Sequence, residues 1–128
     1  MDIREAIEKY RPCCEQEARD KAVILSFIDS APDAFERSNL IAHMTASAWV
    51  VNPARDKVLM VYHKIYDSWS WTGGHADGER DLLSVALREV REETGVKSAR
   101  PVTEDIYSLE VLTVDGHEKR GEYVPSHL

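Results

Sequence analysis

The segment from Gly74 to Val96 constrains the fold more than any other part of the chain. It follows Gly73 directly, and paired glycines allow close backbone approach or positive φ before a helix. Apolar residues then recur at the spacing of one helix face: Leu83, Ala86, Leu87 and Val90. We predict a glycine loop over Tyr66–Gly74, a helix capped by Asp77 or Gly78, and a helix end at Gly95.

The predicted helix also has an acidic face, formed by Glu89, Glu92 and Glu93. Each residue turns an α-helix by about 100°, so side chains three or four residues apart lie on the same face. Like charges so placed cost roughly 0.2–0.5 kcal/mol per pair. A hard divalent cation bound by carboxylate oxygens would offset that repulsion. An acidic helix face more often simply faces solvent, so three glutamates alone do not predict a metal site.

The same stretch resembles the Nudix box, a pattern of fixed glycine, Arg-Glu-apolar, Glu-Glu and Gly-apolar positions. The matching residues are Gly74, Arg88-Glu89-Val90, Glu92-Glu93 and Gly95-Val96. Upstream, Trp69–Gly74 is similar to the Trp-x-x-Pro-Gly-Gly that often leads into the box, with Thr72 in place of proline. The chain therefore resembles a Nudix hydrolase over residues 41–128, most specifically over 69–96.

One box position departs from the pattern. The family has its first glutamate where this chain has Arg80, with Glu79 one residue earlier and Asp81 one residue later. In the family that glutamate is chiefly structural, so the departure concerns the loop-to-helix junction more than metal binding. We expect Arg80 to leave the junction unbraced, so that Arg80→Glu would stabilise it, or else to pair with Glu79, Asp77 or a substrate phosphate.

The resemblance implies an α+β fold in which a mixed β-sheet is sandwiched between helices. We interpret the chain as a single Nudix domain, with a helical extension at 1–40 and the Nudix core at 41–128. A Nudix fold usually continues with several strands and a closing helix after its box, and the segment 97–128 is short for that. We therefore expect a core truncated at the C-terminus, or a sheet completed by another chain, which leaves a homodimer open.

Local patterns predict the remaining elements. Asp2–Tyr10 and about Glu15–Ser30 are expected to be helices. The apolar side of the second is expected to consist of Ala18, Ala22, Leu25 and Phe27-Ile28. Three further segments are predicted as strands: Met44–Val51, Lys57–His63 and Ile106–Val114. The first two are joined by the turn-forming residues 52–56, which predicts a hairpin.

Composition narrows the class of partner. The net charge of −7 argues against a nucleic-acid polymer, whose phosphates require a basic face. It does not argue against a small phosphorylated substrate, because bound metal can offset the charge of phosphates. No apolar run approaches membrane-spanning length and the N-terminus is unlike a signal peptide, so we expect no membrane association and a cytoplasmic location. Cys13 and Cys14 are expected to be reduced thiols.

The resemblance implies hydrolysis of the diphosphate linkage in a nucleoside diphosphate joined to another group, with Mg²⁺ or Mn²⁺ as cofactor. It assigns Glu92 and Glu93 as metal ligands, Gly74 as a ligand through its carbonyl, and Glu89 as ligand or general base. It also implies that Arg88 orients a box glutamate. A further ligand or base often lies in a later loop of the family, and Glu118 and Glu122 are the candidates here.

Other hypotheses stay open from the sequence. A Nudix module that binds a nucleotide or partner without turnover, or an incomplete fragment, is favoured by Arg80 and the short C-terminal segment. Three retained glutamates count against it, because a chain released from catalysis has no reason to keep repelling charges. A Nudix-fold isomerase acting on a prenyl diphosphate is a third hypothesis. Trp69 or Phe35 could stack on a base, and the five histidines are scattered without metal-ligand spacing.

Overall fold

The computed structural model describes residues 2–119, 121–124 and 126–128, and the side chains of 117–119 and 122–124 lie outside that description. The helices are α1 (Ile3–Lys9), α2 (Glu15–Ser30) and α3 (Leu82–Thr94). The strands are β1 (Thr45–Ala48), β2 (Val50–Val51), β3 (Val58–Leu59), β4 (Val61–His63), β5 (Ser68–Ser70), β6 (Thr72–His75), β7 (His117–Lys119) and β8 (Glu122–Val124).

The two N-terminal helices form where the sequence predicts them. Asp2 caps α1, because its carboxylate accepts the Arg4 backbone N–H at 2.6 Å. The Arg4 guanidinium then forms a two-pronged ion pair with Asp29 of α2, at 2.6 and 2.8 Å. Ile7, fully buried, lies on the side of α1 away from solvent. The extension is therefore a packed helix pair.

The apolar side predicted for α2 is confirmed only in part, and the strand predicted over Ile106–Val114 is wrong. Leu25, Phe27 and Ile28 are half-buried, and the last two pack on the core. Ala18 and Ala22 are exposed, whereas Asp20 is buried. The Asp20 carboxylate accepts the Val111 N–H at 3.1 Å, and the Glu17 carboxylate accepts a second N–H from the same segment. Two carboxylates of α2 thus accept backbone N–H groups that, in a strand, would have bonded to a neighbouring strand.

The hairpin predicted around residues 52–56 is confirmed. β2 and β3 pair antiparallel on either side of the turn. The side-chain oxygen of Asn52 accepts the backbone N–H groups of Asp56 at 3.0 Å and Lys57 at 3.1 Å. An asparagine side chain that bonds nearby backbone in this way stabilises the turn.

The loop predicted over Tyr66–Gly74 is wrong, because most of this segment forms strands. The chain reverses at Asp67, whose φ is +46°, and β5 then pairs antiparallel with β4. β6 pairs antiparallel with β1. A Cβ at Gly73 would lie 2.7 Å from the Ser47 Cβ, so the glycine permits the close approach of β6 to β1.

The α+β class is confirmed, with three helices and small antiparallel sheets in the described residues. The strand pairs described are β1–β6, β2–β3, β4–β5 and β7–β8, each a two-stranded sheet. They stand in place of the mixed sheet that the resemblance implies. All four pairs are antiparallel. β2–β3 and β4–β5 are hairpins of consecutive strands, whereas β1 and β6 pair across the segment that contains both hairpins.

Helix α3 ends as predicted but begins later. Gly95 has φ +76°, a conformation suited to glycine, and ends the helix. The N-cap is Asp81, whose carboxylate accepts both the Ser84 N–H at 3.3 Å and the Ser84 hydroxyl at 2.7 Å. Asp77 and Gly78 are not the cap, because their φ values of +48° and +88° place them in a turn before it.

A small buried cluster joins the extension to the core. It consists of Ala34, Phe35 and Ala76, with partly buried residues packed on it: Ile3, Phe27, Ile28, Ala31, Met44 and Leu82. Val85 and Val90 bury the inner face of α3. The cluster lies beside the turn between β6 and α3, so it fixes where the acidic face of α3 stands. Among the described helices, none has the length and apolar character needed to cross a bilayer.

Candidate active site

Strand β6 and helix α3 bring Gly74 and Glu89 into contact. A Cβ at Gly74 would lie 2.5 Å from Oε1 and 2.8 Å from Oε2 of Glu89. The carboxylate therefore fills the space beside the Gly74 backbone, and only a glycine leaves that space free. The Glu89 side chain is 15% exposed, so this contact excludes most solvent from the carboxylate.

One helical turn further along α3, Glu93 contacts the neighbouring glycine. Its Oε1 accepts the backbone N–H of Gly73 at 3.0 Å. Residues four apart on a helix lie on one face, and here that face meets two consecutive glycines of β6. The glycine pair and the acidic face are thus two sides of one site.

Arg88 links the same strand and helix. Its Nη2 donates to the backbone carbonyl of His75 at 3.1 Å and to Oε1 of Glu89 at 3.4 Å. The guanidinium therefore lies between the end of β6 and the Glu89 carboxylate. Because one planar group contacts both, it limits how far Glu89 can turn away from Gly74.

The three glutamates influence one another electrostatically. Burial is the largest cause that raises the pKa of Glu89 above its ordinary value, and the negative charges of Glu92 and Glu93 raise it further. The hydrogen bond from Arg88 lowers the same pKa. Glu92 and Glu93 are exposed residues on the solvent side of the site. A partly desolvated carboxylate with two like charges nearby is costly to ionise.

The oxygen atoms of this site are of the kind that binds a hard cation, but they are not arranged around one point. Carboxylate and carbonyl oxygens are the ligands that Mg²⁺ and Mn²⁺ prefer. The negative charges of Glu92 and Glu93, which add to the effect of burial on the pKa of Glu89, are charges that a cation would offset. Within residues 2–119, 121–124 and 126–128, no group of three or more His, Cys, Asp or Glu side chains is arranged to hold a metal. Glu93 is engaged by the Gly73 N–H instead.

Comparison with known proteins identifies the family that this strand–helix site belongs to. The NUDIX domain family matches residues 42–124. This chain belongs to the Nudix family. It is similar to the Nudix hydrolase 27, chloroplastic, of Arabidopsis thaliana, with 35% identity over 83 residues that make up 64% of this chain and 37% of the relative. The chain thus matches little more than a third of that relative's length.

The Nudix box departure at Arg80 is accommodated by an aromatic ring. The Arg80 guanidinium carbon lies 4.7 Å from the centre of the Phe35 ring, a cation–π contact. The residues expected as its partners are engaged elsewhere. Glu79 accepts the Asp81 backbone N–H at 2.8 Å, and Asp77 forms a two-pronged ion pair with Arg37 at 2.7 and 2.6 Å.

Sequence reasoning missed Arg37 and the segment around it. The Arg37 hydrogen bonds are the main cause that lowers the pKa of Asp77 below its ordinary value. The Phe35 carbonyl also accepts the Gly78 N–H at 2.8 Å. This segment therefore braces the turn that leads from β6 into α3. No local pattern marks it, because its partners lie about forty residues further along the chain.

The structure also brings together three of the five scattered histidines. Nε2 of His43 lies 3.0 Å from Nδ1 of His75, and the rings of His43 and His127 stack at 5.0 Å. Burial lowers the pKa of His43 below its ordinary value, and the neighbouring His127 adds to that effect. The two candidates for a later ligand or base, Glu118 and Glu122, have side chains outside the described part of the structure.

Proposed function

We propose that this chain hydrolyses the diphosphate linkage of a nucleoside diphosphate joined to another group, by water attack on phosphorus, with Mg²⁺ or Mn²⁺ as cofactor. The observation that carries the proposal is the contact of Glu89 and Glu93 with the Gly73-Gly74 backbone. Membership of the Nudix family supports the reaction class. The similarity to a Nudix hydrolase supports it further.

The proposed metal ligands are the carboxylates of Glu89, Glu92 and Glu93 and the carbonyl of Gly74. Their oxygen atoms suit a hard divalent cation. When bound, such an ion supplies positive charge against the diphosphate and lowers the pKa of the attacking water. Binding requires Glu93 to exchange its contact with the Gly73 N–H for the ion, or to share its two oxygens between them.

The chain's own residues have distinct proposed roles. Glu89 is a metal ligand or the general base, and its carboxylate is held against the Gly74 backbone. Arg88 positions Glu89, because it contacts that carboxylate and the His75 carbonyl together. Gly74 keeps the space beside Glu89 free of side-chain atoms. These roles follow from contacts within one strand–helix unit.

A second candidate is a Nudix module that binds a nucleotide without turnover. Two observations favour it: Arg80 replaces the first box glutamate, and the described residues contain no gathered set of metal-binding side chains. The three glutamates on one face of α3 count against it. A module that only binds a nucleotide has no reason to keep carboxylates that repel one another.

A turnover assay distinguishes hydrolysis from nucleotide binding alone. The chain is incubated with a library of nucleoside diphosphate derivatives, with Mg²⁺, with Mn²⁺ and with EDTA, and phosphomonoester products are measured. Hydrolysis in H₂¹⁸O places ¹⁸O in one product phosphate if water attacks phosphorus. We expect metal-dependent hydrolysis that Glu92→Gln abolishes and Glu104→Gln, a change at an exposed glutamate outside α3, leaves intact. Ligand binding without hydrolysis of any member would favour the binding module.

A further inference from the structure

The connection between β6 and α3, residues 76–81, influences how the glycines of β6 meet the glutamates of α3. It contains two consecutive residues in the left-handed region, Asp77 with φ +48° and Gly78 with φ +88°. An aspartate in this conformation is strained, and it persists where neighbouring groups hold it in place. Those groups come from the segment that follows α2, Phe35–Arg37.

Phe35 contacts the connection at two points. Its carbonyl accepts the Gly78 N–H at 2.8 Å, and its ring centre lies 4.7 Å from the Arg80 guanidinium carbon. Phe35 is only 3% exposed, so its ring is not free to stack on a base. Because Phe35 belongs to the buried cluster, these two contacts attach the connection to the core.

Arg37 holds the connection from the solvent side. Its Nε and Nη2 donate to the two carboxylate oxygens of Asp77 at 2.7 and 2.6 Å. The two side chains are 53% and 45% exposed, and ion pairs this exposed contribute little to the stability of a fold. Two parallel bonds between a planar guanidinium and a carboxylate do fix their relative orientation. The Arg37–Asp77 pair is therefore better suited to positioning than to stabilisation.

This ion pair lies near the proposed catalytic residues. The carbonyl of His75, two residues before Asp77, accepts Nη2 of Arg88, which also contacts Glu89. The hydrogen bond with Asp77 is the largest cause that raises the pKa of Arg37, and the negative charge of Glu89 raises it further. The ion pair and the proposed site therefore lie within electrostatic reach of each other.

We infer that Phe35–Arg37 positions β6 against α3 and so completes the proposed metal site, with Arg37 as a positioning residue. The segment lies before residue 42, where the match to the NUDIX domain family begins. It contacts the junction at which Arg80 replaces the first box glutamate. The inference rests on the proposed function for the metal, and it gives the N-terminal extension a part in the site.

The first measurement tests the positioning without metal. The Gly73 N–H donates to the Glu93 carboxylate, so its hydrogen exchange in EDTA, followed by NMR, reports whether β6 and α3 stay in place. The comparison amide is that of Lys57, which donates to the Asn52 side chain in the β2–β3 hairpin. A change that loosens the whole fold accelerates exchange at both amides. The second measurement is Mn²⁺ binding, followed by the electron paramagnetic resonance signal of the free ion.

The variants remove the ion pair in steps. Arg37→Met keeps a long side chain without donors, and Arg37→Lys keeps the charge without the planar group. Asp77→Asn, alone and combined with Arg37→Met, removes the charge of the partner. Arg4→Met is the matched control, because Arg4 forms a two-pronged ion pair of similar exposure with Asp29 within the extension.

We expect Arg37→Met to accelerate exchange at Gly73 by at least about fivefold, with exchange at Lys57 unchanged. It should also weaken Mn²⁺ binding by about tenfold, the lower end for loss of a residue that orients a metal ligand. Arg37→Lys should lose less, and Arg4→Met should match wild type. Asp77→Asn should add little to Arg37→Met, because both changes remove the same pair.

Three results would overturn the inference: wild-type exchange at Gly73 in Arg37→Met, equal acceleration at Gly73 and Lys57, or Mn²⁺ affinity that Arg37→Met leaves unchanged. Recovery in the combined Arg37→Met and Asp77→Asn variant would also overturn it, because the loss would then come from an unpaired charge. Selective acceleration at Gly73 in a chain that binds no Mn²⁺ would support the positioning role while the proposed metal-dependent hydrolysis fails.

Discussion

The Glu89 carboxylate occupies the space that any side chain at Gly74 would need. A Cβ there would lie 2.5 Å from Oε1, the far end of a flexible side chain. Gly74→Ala should therefore displace Glu89 and leave the backbone in place. We expect turnover to fall by about 100-fold, the scale of a misplaced catalytic group, with little change in melting temperature. Wild-type turnover in Gly74→Ala would show that the contact has no role in catalysis.

The neighbouring glycine should respond in the opposite way. A Cβ at Gly73 would lie 2.7 Å from the Ser47 Cβ and 3.1 Å from the Ala46 carbonyl, atoms fixed by β1. Gly73→Ala should lower the free energy of unfolding by about 1–3 kcal/mol, the usual cost of overpacking. Urea unfolding measures it, with Gly74→Ala as the matched comparison. Equal destabilisation by Gly73→Ala and Gly74→Ala would mean that the whole of β6 shifts to accommodate either side chain.

The contact of Arg80 with Phe35 reverses what the box pattern alone suggests for Arg80→Glu. A glutamate would lose the cation–π contact, and it would gain little from the helix dipole, because α3 begins at Leu82 after its Asp81 cap. We expect Arg80→Glu to lower the free energy of unfolding by about 0.5–1 kcal/mol. Arg80→Lys should retain part of the cation–π stabilisation. A more stable Arg80→Glu variant would show instead that a glutamate braces this junction as in the family.

Elements with local signals could be predicted from the sequence. The bounds of α2 and the end of α3 at Gly95 follow from spacing and capping alone. The strand expected over Ile106–Val114 does not form, because distant carboxylates of Glu17 and Asp20 accept its N–H groups. No local pattern carries that information.

The candidate site, like the fold, could be predicted from the sequence only in part. Helical spacing places Glu89, Glu92 and Glu93 on one face, and the box resemblance adds Gly74 and Arg88. Spacing does not reveal that Glu93 accepts the Gly73 N–H, or that Arg37 holds Asp77 in the turn before α3. Those contacts depend on how β6 and the segment after α2 are brought against the helix. They require three-dimensional structure.

Burial and like charges make Glu89 a source of instability at neutral pH. A folded-state pKa raised above 4.5 means that the stability present below pH 4.5 is lost as pH rises through the higher folded value. Glu89→Gln should therefore melt at a higher temperature than wild type at pH 7 in EDTA, and the difference should shrink at pH 4. Glu104→Gln should leave the melting temperature as in wild type at both pH values. A Glu89→Gln variant less stable at pH 7 would show that the Arg88 contact outweighs burial.

We propose above all that the acidic face of α3 binds a divalent metal beside Gly73 and Gly74. Glu93→Gln tests it cleanly, because the amide oxygen can still accept the Gly73 N–H while the negative charge is lost. The measurement is the binding of Mn²⁺, followed by the electron paramagnetic resonance signal of the free ion. We predict that wild type and Glu104→Gln bind Mn²⁺ alike and that Glu93→Gln binds it at least about tenfold more weakly. Equal binding by Glu93→Gln, or no binding by the wild-type chain, would contradict the claim.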